Sequence, residues 1–246
     1  MDTLRAGLVR HMPDWSKPVL RRMVAACRGS RDAFRDQQML LSGTRVQTIL
    51  DIGAHIGETA VRYSSAFPES TIYSFEPFPE SFQELRRRFK GNGLVKPIQL
   101  AISNKAGRRK FYVNQASGTN SLLPTVDDVG YWVTPDLVTN IATIEVAVTT
   151  IDDFCKQEII DEIQILKMDI QGGELRALEG ATEKLRQGSV SLIYTEILFV
   201  PIYEGQALFY EICNFLSGYG YTLFNMYNCC CSRKGQVKWG DAIFIR

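Results

Sequence analysis

A doubly wound α/β sheet, mostly parallel and with an antiparallel strand near its end, follows from three features of this sequence. From residue 46 onward, apolar runs of strand length alternate with helix-periodic segments. Strands joined through helices require a largely parallel sheet covered on both faces. The last two apolar runs are joined instead by a turn-rich link, 228–240, which suits an antiparallel pair. The composition agrees, because 246 residues with 45% hydrophobic and 22% charged content exclude a disordered or fibrous chain. A chain of this length buries about 70% of its unfolded surface and needs no disulfide or metal staple.

In order, residues 47–54 read as a buried strand, 57–67 as a helix, 71–75 as a strand and 80–90 as a helix stopped by Gly91-Asn92-Gly93. Residues 95–102 and 111–113 are strand-like, with 104–107 turning between them. The polar, Gly/Pro-punctuated stretch 114–142 is long enough to expect a lid or binding loop. Strands follow at 144–148, 163–170 and 190–197, the last two separated by one long helix over 174–186 that Gly188 ends. A helix over 209–216 and strands at 221–227 and 242–245 complete the chain.

Charge is uneven. Residues 1–45 hold nine basic and four acidic side chains, a +5 segment in a chain of net charge +1. Leu20, Met23, Val24 and Cys27 fall at helical spacing. The segment is therefore expected to be an N-terminal helical cap ahead of a catalytic domain over 46–246. Its basic face is either solvated or a recruitment surface for an anionic partner. The overall balance calls for neither nucleic acid nor an anionic membrane. No apolar run approaches the twenty or so residues of a membrane span, and charges interrupt any leader-like stretch. The six cysteines, three of them adjacent at 229–231, lack zinc spacing and are expected as free buried thiols in a reducing, cytoplasmic setting.

In an open α/β sheet, ligands bind beyond the carboxyl ends of the strands, where chain order reverses. The first strand here ends in Asp51-Ile52-Gly53-Ala54-His55-Ile56-Gly57, and the second ends at Glu76, 23 residues beyond Gly53. An acid at that point is placed to accept hydrogen bonds from both hydroxyls of a ribose. The turn lacks G-x-G-x-x-G, with His55 at the second glycine position and Asp51 at its opening. A carboxylate there repels a pyrophosphate but offsets an ammonium group. That chemistry favours S-adenosylmethionine over NAD.

Asp51–Gly57, Phe75-Glu76-Pro77, Ala101-Ile102-Ser103, Thr149-Thr150-Ile151-Asp152, Leu166-Lys167-Met168-Asp169-Ile170-Gln171-Gly172 and Leu178-Glu179-Gly180-Ala181 occur in one order and spacing. In these motifs residues 46–246 resemble the FkbM-type methyltransferases. The resemblance implies a class I, Rossmann-like fold on a seven-stranded sheet, S-adenosylmethionine as cofactor, and a small-molecule acceptor such as a sugar or secondary metabolite. It places Asp51, Gly53, Ala54, His55 and Gly57 around the methionine end of the cofactor and Glu76 on the ribose. Pro77, Phe78, Ala101 and Ile102 would border the adenosine. Two positions depart from the family pattern: His55 stands where asparagine is common, and Gln171 where glutamate is usual.

Transfer to a hydroxyl needs in-line placement and removal of the acceptor's proton. Asp169 and Glu196 end the fourth and fifth major strands and are the candidate base and supporting acid, with His55 nearby. Asp169 is equally suited to cap the helix that follows it. Lys167 reads as a strand-edge residue or the partner of an acid. A divalent cation on the three candidate residues is an alternative that no ligand spacing supports. Asn120, Ser121, Tyr131 and Trp132, in the irregular stretch, are the substrate-contact candidates. Tyr203, Phe209, Tyr227 and Trp239 could add aromatic walls, with core packing the commoner fate of Phe209. The basic segment admits a phosphate-bearing acceptor. Two rival readings remain: a nicotinamide-dependent oxidoreductase, disfavoured by the absence of a Tyr-x-x-x-Lys dyad, and an S-adenosylmethionine-binding module that has lost turnover.

Overall fold

The computed structural model describes residues 32–246. Most of the expected cap, with its helical run and Cys27, lies outside them. The strands are β1 (Thr48–Ile52), β2 (Thr71–Phe75), β3 (Val95–Ile98), β4 (Ala101–Ile102), β5 (Gly107–Asn114), β6 (Asn140–Thr149), β7 (Ile163–Met168), β8 (Val190–Leu198), β9 (Thr222–Cys231) and β10 (Val237–Ile245). Seven form one sheet in the order β3-β2-β1-β7-β8-β10-β9, parallel except for β10, which is antiparallel to both neighbours. The chain runs outward from β1 to β3 and returns to β7 beside β1. The crevice beyond β1 and β7 is therefore the topological switch point.

Side chains alternate between the two sheet faces and meet helices on both. Ile49, Ile72, Ile165, Leu192 and Ile243 pack with α1 (Ala33–Leu40), α2 (Glu58–Ala66) and α3 (Pro79–Arg88). Leu50, Ile52, Phe75, Leu166 and Ile193 pack on the opposite face. There they meet α5 (Ile151–Glu158), α6 (Glu174–Glu179), α7 (Thr182–Gln187) and α8 (Phe209–Ser217). The remaining helix, α4 (Pro135–Val138), is a single turn in the irregular stretch. Helix α1 is tied down by two buried hydrogen bonds: the Tyr227 hydroxyl of β9 donates to Asp36 Oδ2 at 2.7 Å and the Tyr63 hydroxyl of α2 to Gln37 Oε1 at 3.1 Å. No helix among the described residues is long and apolar enough to cross a membrane.

Four features depart from the sequence reading. Residues 95–102 are not one strand: β3 adds to the main sheet, whereas β4 pairs with β6 in a separate three-stranded sheet, β4-β6-β5. Helix α5 is additional, and the Thr150 hydroxyl caps it by accepting from Asp153 N–H. The long helix over 174–186 is broken into α6 and α7 at Gly180, where a Cβ would lie 2.3 Å from the Ser103 carbonyl oxygen. The stretch 114–142 holds 3-10 turns at Ser117–Thr119 and Val129–Tyr131, the turn α4 and the start of β6. Of the described cysteines, Cys155 is buried as expected and Cys231 is exposed.

Candidate active site

The crevice at the switch point is a cleft whose floor is the turn after β1. Gly53 has φ +77°, and a Cβ there would lie 1.9 Å from the Asp169 carbonyl oxygen. Only glycine fits, because the turn after β1 presses against the end of β7. Gly57 also has a positive φ, but its close neighbours are the Leu85 and Phe89 side chains of α3. Its absent side chain serves helix packing, and Gly57 does not line the cleft.

Glu76 is buried at the end of β2 and clasps two loops. Its Oε2 accepts from His55 N–H and its Oε1 from Phe78 N–H, each at 2.9 Å. Burial pushes its carboxyl up to about 7, with the two backbone donors pulling the other way. Ala54, His55, Glu76 and Pro77 line the cleft together with an apolar wall of Leu100, Ala101, Ile102, Phe111 and Leu122. Phe78 turns away to pack against the small sheet. The apolar wall has the character of a site for a flat ring, with Glu76 at its polar edge.

Asp51 is fully buried and lies beneath the floor. Its Oδ1 is 3.0 Å from Lys167 Nζ, which also donates to the carbonyl oxygens of Gly53 at 2.8 Å and Ile52 at 3.4 Å. Lys167 thus lines the cleft with its donors already engaged. Burial disfavours its charge, but Asp51 and Asp169 outweigh burial and leave its pKa raised. Lys167 pairs with an acid as expected, although β7 is a central strand and not an edge. The acid at the opening of the turn meets the cleft through this lysine. Glu58, in the first turn of α2, also lines the cleft, placing a negative charge where a pyrophosphate would bind.

Beyond this pocket stands a polar cluster built on the turn after β7. Asp169 is exposed at the strand end and lines the cleft. Gln171 Nε2 donates to Asp169 Oδ1 at 2.8 Å and to Glu196 Oε2 at 3.1 Å, while its Oε1 accepts from the Tyr203 hydroxyl at 2.8 Å. Glu196, at the outer end of β8, is therefore joined to Asp169 through Gln171. Burial raises the Glu196 pKa well above the carboxylate range, reinforced by the charges of Asp169, Glu174 and Asp241. Asp169 does not cap α6, whose N-cap is Gly173; the nearby backbone donor, Ile170 N–H, goes to Glu174 Oε1. Among the described residues, no group of His, Cys, Asp and Glu side chains is arranged to hold a metal ion.

The segment 117–123 closes over these groups. The Ser117 hydroxyl lies 2.8 Å from His55 Nε2, and burial lowers the His55 pKa more than Glu58 and Asp169 restore it. The Ser121 hydroxyl donates to the Gln171 carbonyl oxygen at 2.7 Å. Asn120 lines the cleft and accepts from Asn114 N–H, whereas Ser121 is buried behind it. Tyr131, 71% exposed, and Trp132, packed with Leu123 and Tyr203, lie outside the cleft lining. Phe209 packs in the core, and Tyr227 reaches Asp36 behind the sheet. Sequence reasoning gave no site role to Lys167, Gln171 or Ser117, nor to Glu58, Leu100, Phe111 and Leu122, all of which line the cleft. A lone lysine inside the apolar strand 163–168 was the available signal for the first.

Residues 51–223 match the model of the methyltransferase FkbM domain. The chain is similar to the 2-O-methyltransferase NoeI of Sinorhizobium fredii, 28% identical over 64% of this chain and 66% of that protein. It is similar to the 31-O-demethyl-FK506 methyltransferase FkbM of Streptomyces tacrolimicus, 26% identical over 78% and 80%. With the hexuronic acid methyltransferase AglP of Haloferax volcanii it shares 25% identity over 69% of this chain and 63% of that one. The matched segment therefore spans just under two thirds of NoeI and AglP. Among solved structures, Aeropyrum pernix fibrillarin with bound S-adenosyl-L-methionine superposes with a TM-score of 0.46 at 14% identity, covering 86% of this chain and 74% of that chain.

Proposed function

This chain belongs to the FkbM methyltransferase family, and from that membership we propose that it is an S-adenosylmethionine-dependent O-methyltransferase acting on a hydroxyl of a sugar-containing or secondary-metabolite acceptor. The observation that carries the cofactor reading is the buried Glu76 carboxylate, fixed by His55 N–H and Phe78 N–H at the edge of an apolar wall. The cleft fits a nucleoside that carries no phosphate. Its lysine is engaged by Asp51 and two carbonyls, and Glu58 faces the helix start. The same two features argue against a nicotinamide dinucleotide.

S-Adenosylmethionine supplies a methyl carbon already activated by sulfonium. The residues of this chain supply the rest. Glu76 accepts the ribose hydroxyls, Leu100, Ile102 and Phe111 cover the adenine, and the Gly53–Ala54 turn receives the methionine end. Asp169, open to the cleft, takes the acceptor hydroxyl's proton as its oxygen attacks, with Glu196 in support. Holding both reactants in line contributes much of the acceleration, and the 117–123 segment excludes water.

Calorimetric titration of wild type and Glu76→Ala with S-adenosylmethionine, S-adenosylhomocysteine and NADH tests this reading. The first two are expected to bind wild type alone. Binding of NADH in their place would overturn it. Radiolabelled methyl transfer to a panel of free sugars, glycosides and polyketide alcohols then identifies the acceptor class, and Asp169→Asn is expected to abolish transfer while retaining S-adenosylhomocysteine binding.

A further inference from the structure

Gln171 sets a neutral side chain directly between the two candidate carboxylates. Its backbone has φ +58°, a conformation that favours glycine or asparagine, and the Ser121 hydroxyl holds its carbonyl oxygen. The side-chain amide has a single satisfying orientation. With Nε2 toward Asp169 and Glu196, both amide protons meet carboxylate oxygens and Oε1 receives the Tyr203 proton. Turned over, Oε1 would face two acids. Tyr203 is itself buried, and its hydroxyl also lies 3.2 Å from the Thr119 carbonyl oxygen, so the brace reaches the segment that closes the cleft.

Two carboxylates this close to one atom repel, and each keeps its place only through a shared partner that a hydrogen-bond donor, a proton or a cation can supply. We propose that the Gln171 amide, braced by Tyr203, is the positioning group of the acceptor site, holding Asp169 toward the cleft from the point between Asp169 and Glu196 that a divalent cation would otherwise take. Glutamate at this position would exchange two hydrogen bonds for a third negative oxygen donor and so complete an oxygen-rich cage. Glutamine removes that option and leaves acceptor orientation to hydrogen bonding. Burial first, and then the charge of Asp169, raises the affinity of Glu196 for its proton, and the Gln171 donor opposes the rise. The inference rests on the reading of Asp169 as the acid that faces the acceptor.

The first test is Mn2+ binding to the full chain, followed by loss of the free-ion paramagnetic resonance signal. Wild type is expected to leave the signal unchanged up to about 1 mM, the weak end of the range of built carboxylate sites. Gln171→Glu is expected to take up one ion per chain, and Gln171→Glu/Asp169→Asn to lose it. Wild-type binding that Asp169→Asn abolishes would overturn the proposal, as would a folded Gln171→Glu that takes up no ion. Should Gln171→Glu fail to fold, carboxyl 13C titration of Glu196 carries the test. Gln171→Leu keeps the volume without a donor and is expected to raise the Glu196 midpoint by about one pH unit. Tyr203→Phe is expected to move it less and in the same direction. A merely structural glutamine would lower the melting temperature and leave both midpoints in place, which refutes the inference. Methyl transfer surviving in Asp169→Asn would strike the catalytic reading instead, without altering either measurement.

Discussion

Lys167 and Asp51 stand opposite each other on the adjacent parallel strands β7 and β1, and their side chains form an ion pair 3.0 Å long that is 5% and 0% exposed. The pair lies under the Gly53 turn and fixes it from below, because the same ammonium donates to the Gly53 carbonyl oxygen. A buried pair contributes little net stability over a hydrophobic replacement, but breaking it leaves a bare charge. Lys167→Met is therefore expected to destabilise the fold by about 3 to 5 kcal/mol in chemical denaturation. Lys167→Met/Asp51→Leu should regain most of that loss without regaining S-adenosylhomocysteine affinity, since the turn has lost its donor. A single variant within about 1 kcal/mol of wild type would show that water reaches Asp51.

Gly53 and Gly57 separate two uses of glycine in one motif. In Gly53→Ala the new Cβ meets backbone, the Asp169 carbonyl oxygen at 1.9 Å. In Gly57→Ala it meets side-chain ends, at 2.6 Å from Phe89 and 2.7 Å from Leu85. Both add strain at positive φ, of order 1 to 3 kcal/mol. Only the first displaces the end of β7. Calorimetric titration should show cofactor binding lost in Gly53→Ala and retained in a less stable Gly57→Ala; equal affinities in the two would contradict the close approach.

The pH dependence follows from Glu76. Its folded pKa, about 7, exceeds the ordinary glutamate value of 4.5 because of burial. Between these values the folded chain holds a proton that the unfolded chain has released. Stability from this group is complete below pH 4.5 and is lost as pH rises through 7, by about 3 kcal/mol. Comparing melting profiles of wild type and Glu76→Gln from pH 4 to 9 isolates the effect. Ribose hydroxyls donate best to the ionised form, so S-adenosylhomocysteine affinity should run the other way and strengthen as pH passes 7. A wild-type affinity flat across that range would remove Glu76 from the ribose.

His55→Asn probes the contact across the cleft mouth. Asparagine tolerates the φ of +49° and keeps the backbone donor to Glu76, but it is too short to replace the 2.8 Å link from Nε2 to the Ser117 hydroxyl. Loss of one hydrogen bond worth about 1 kcal/mol predicts roughly fivefold weaker S-adenosylhomocysteine binding with little change in melting temperature. An unchanged affinity would show that Ser117 does not close on the ligand.

The main sheet was legible because its strands are apolar on both faces and its helices carry ordinary stop signals; β2 begins and ends where the alternation says, at Thr71 and Phe75. The partition of 95–102 between two sheets was not, since Ile98 and Ala101 belong to one strand-like stretch and no local preference records which neighbour each will pair with. Helix α5 did leave a signal, the Thr150 cap followed by Asp152 and Asp153, with Ile151, Phe154 and Cys155 on one face. At the site, the acid of Glu76 could be read from its distance to Gly53. The hydrogen bonds of Gln171 could not, because they depend on a left-handed turn that brings β7, β8 and the loop carrying Tyr203 to one point.

The cleft has one bank on each of two sheets. Ile52 belongs to the large one, with Gly53 and Glu76 just past the ends of its strands, and Ala101, Ile102 and Phe111 to the small one, whose strand β4 is held by only two register partners, Val148 and Thr149 of β6. The width of the pocket is thus a mechanical property of a seam and not of any single loop. A bound nucleoside acts there as a rivet, and the amides of β4 and β6 should exchange with deuterium more slowly once it is in place. Substitutions at Val146 or Val148, which touch no ligand, can tune cofactor residence by loosening the seam.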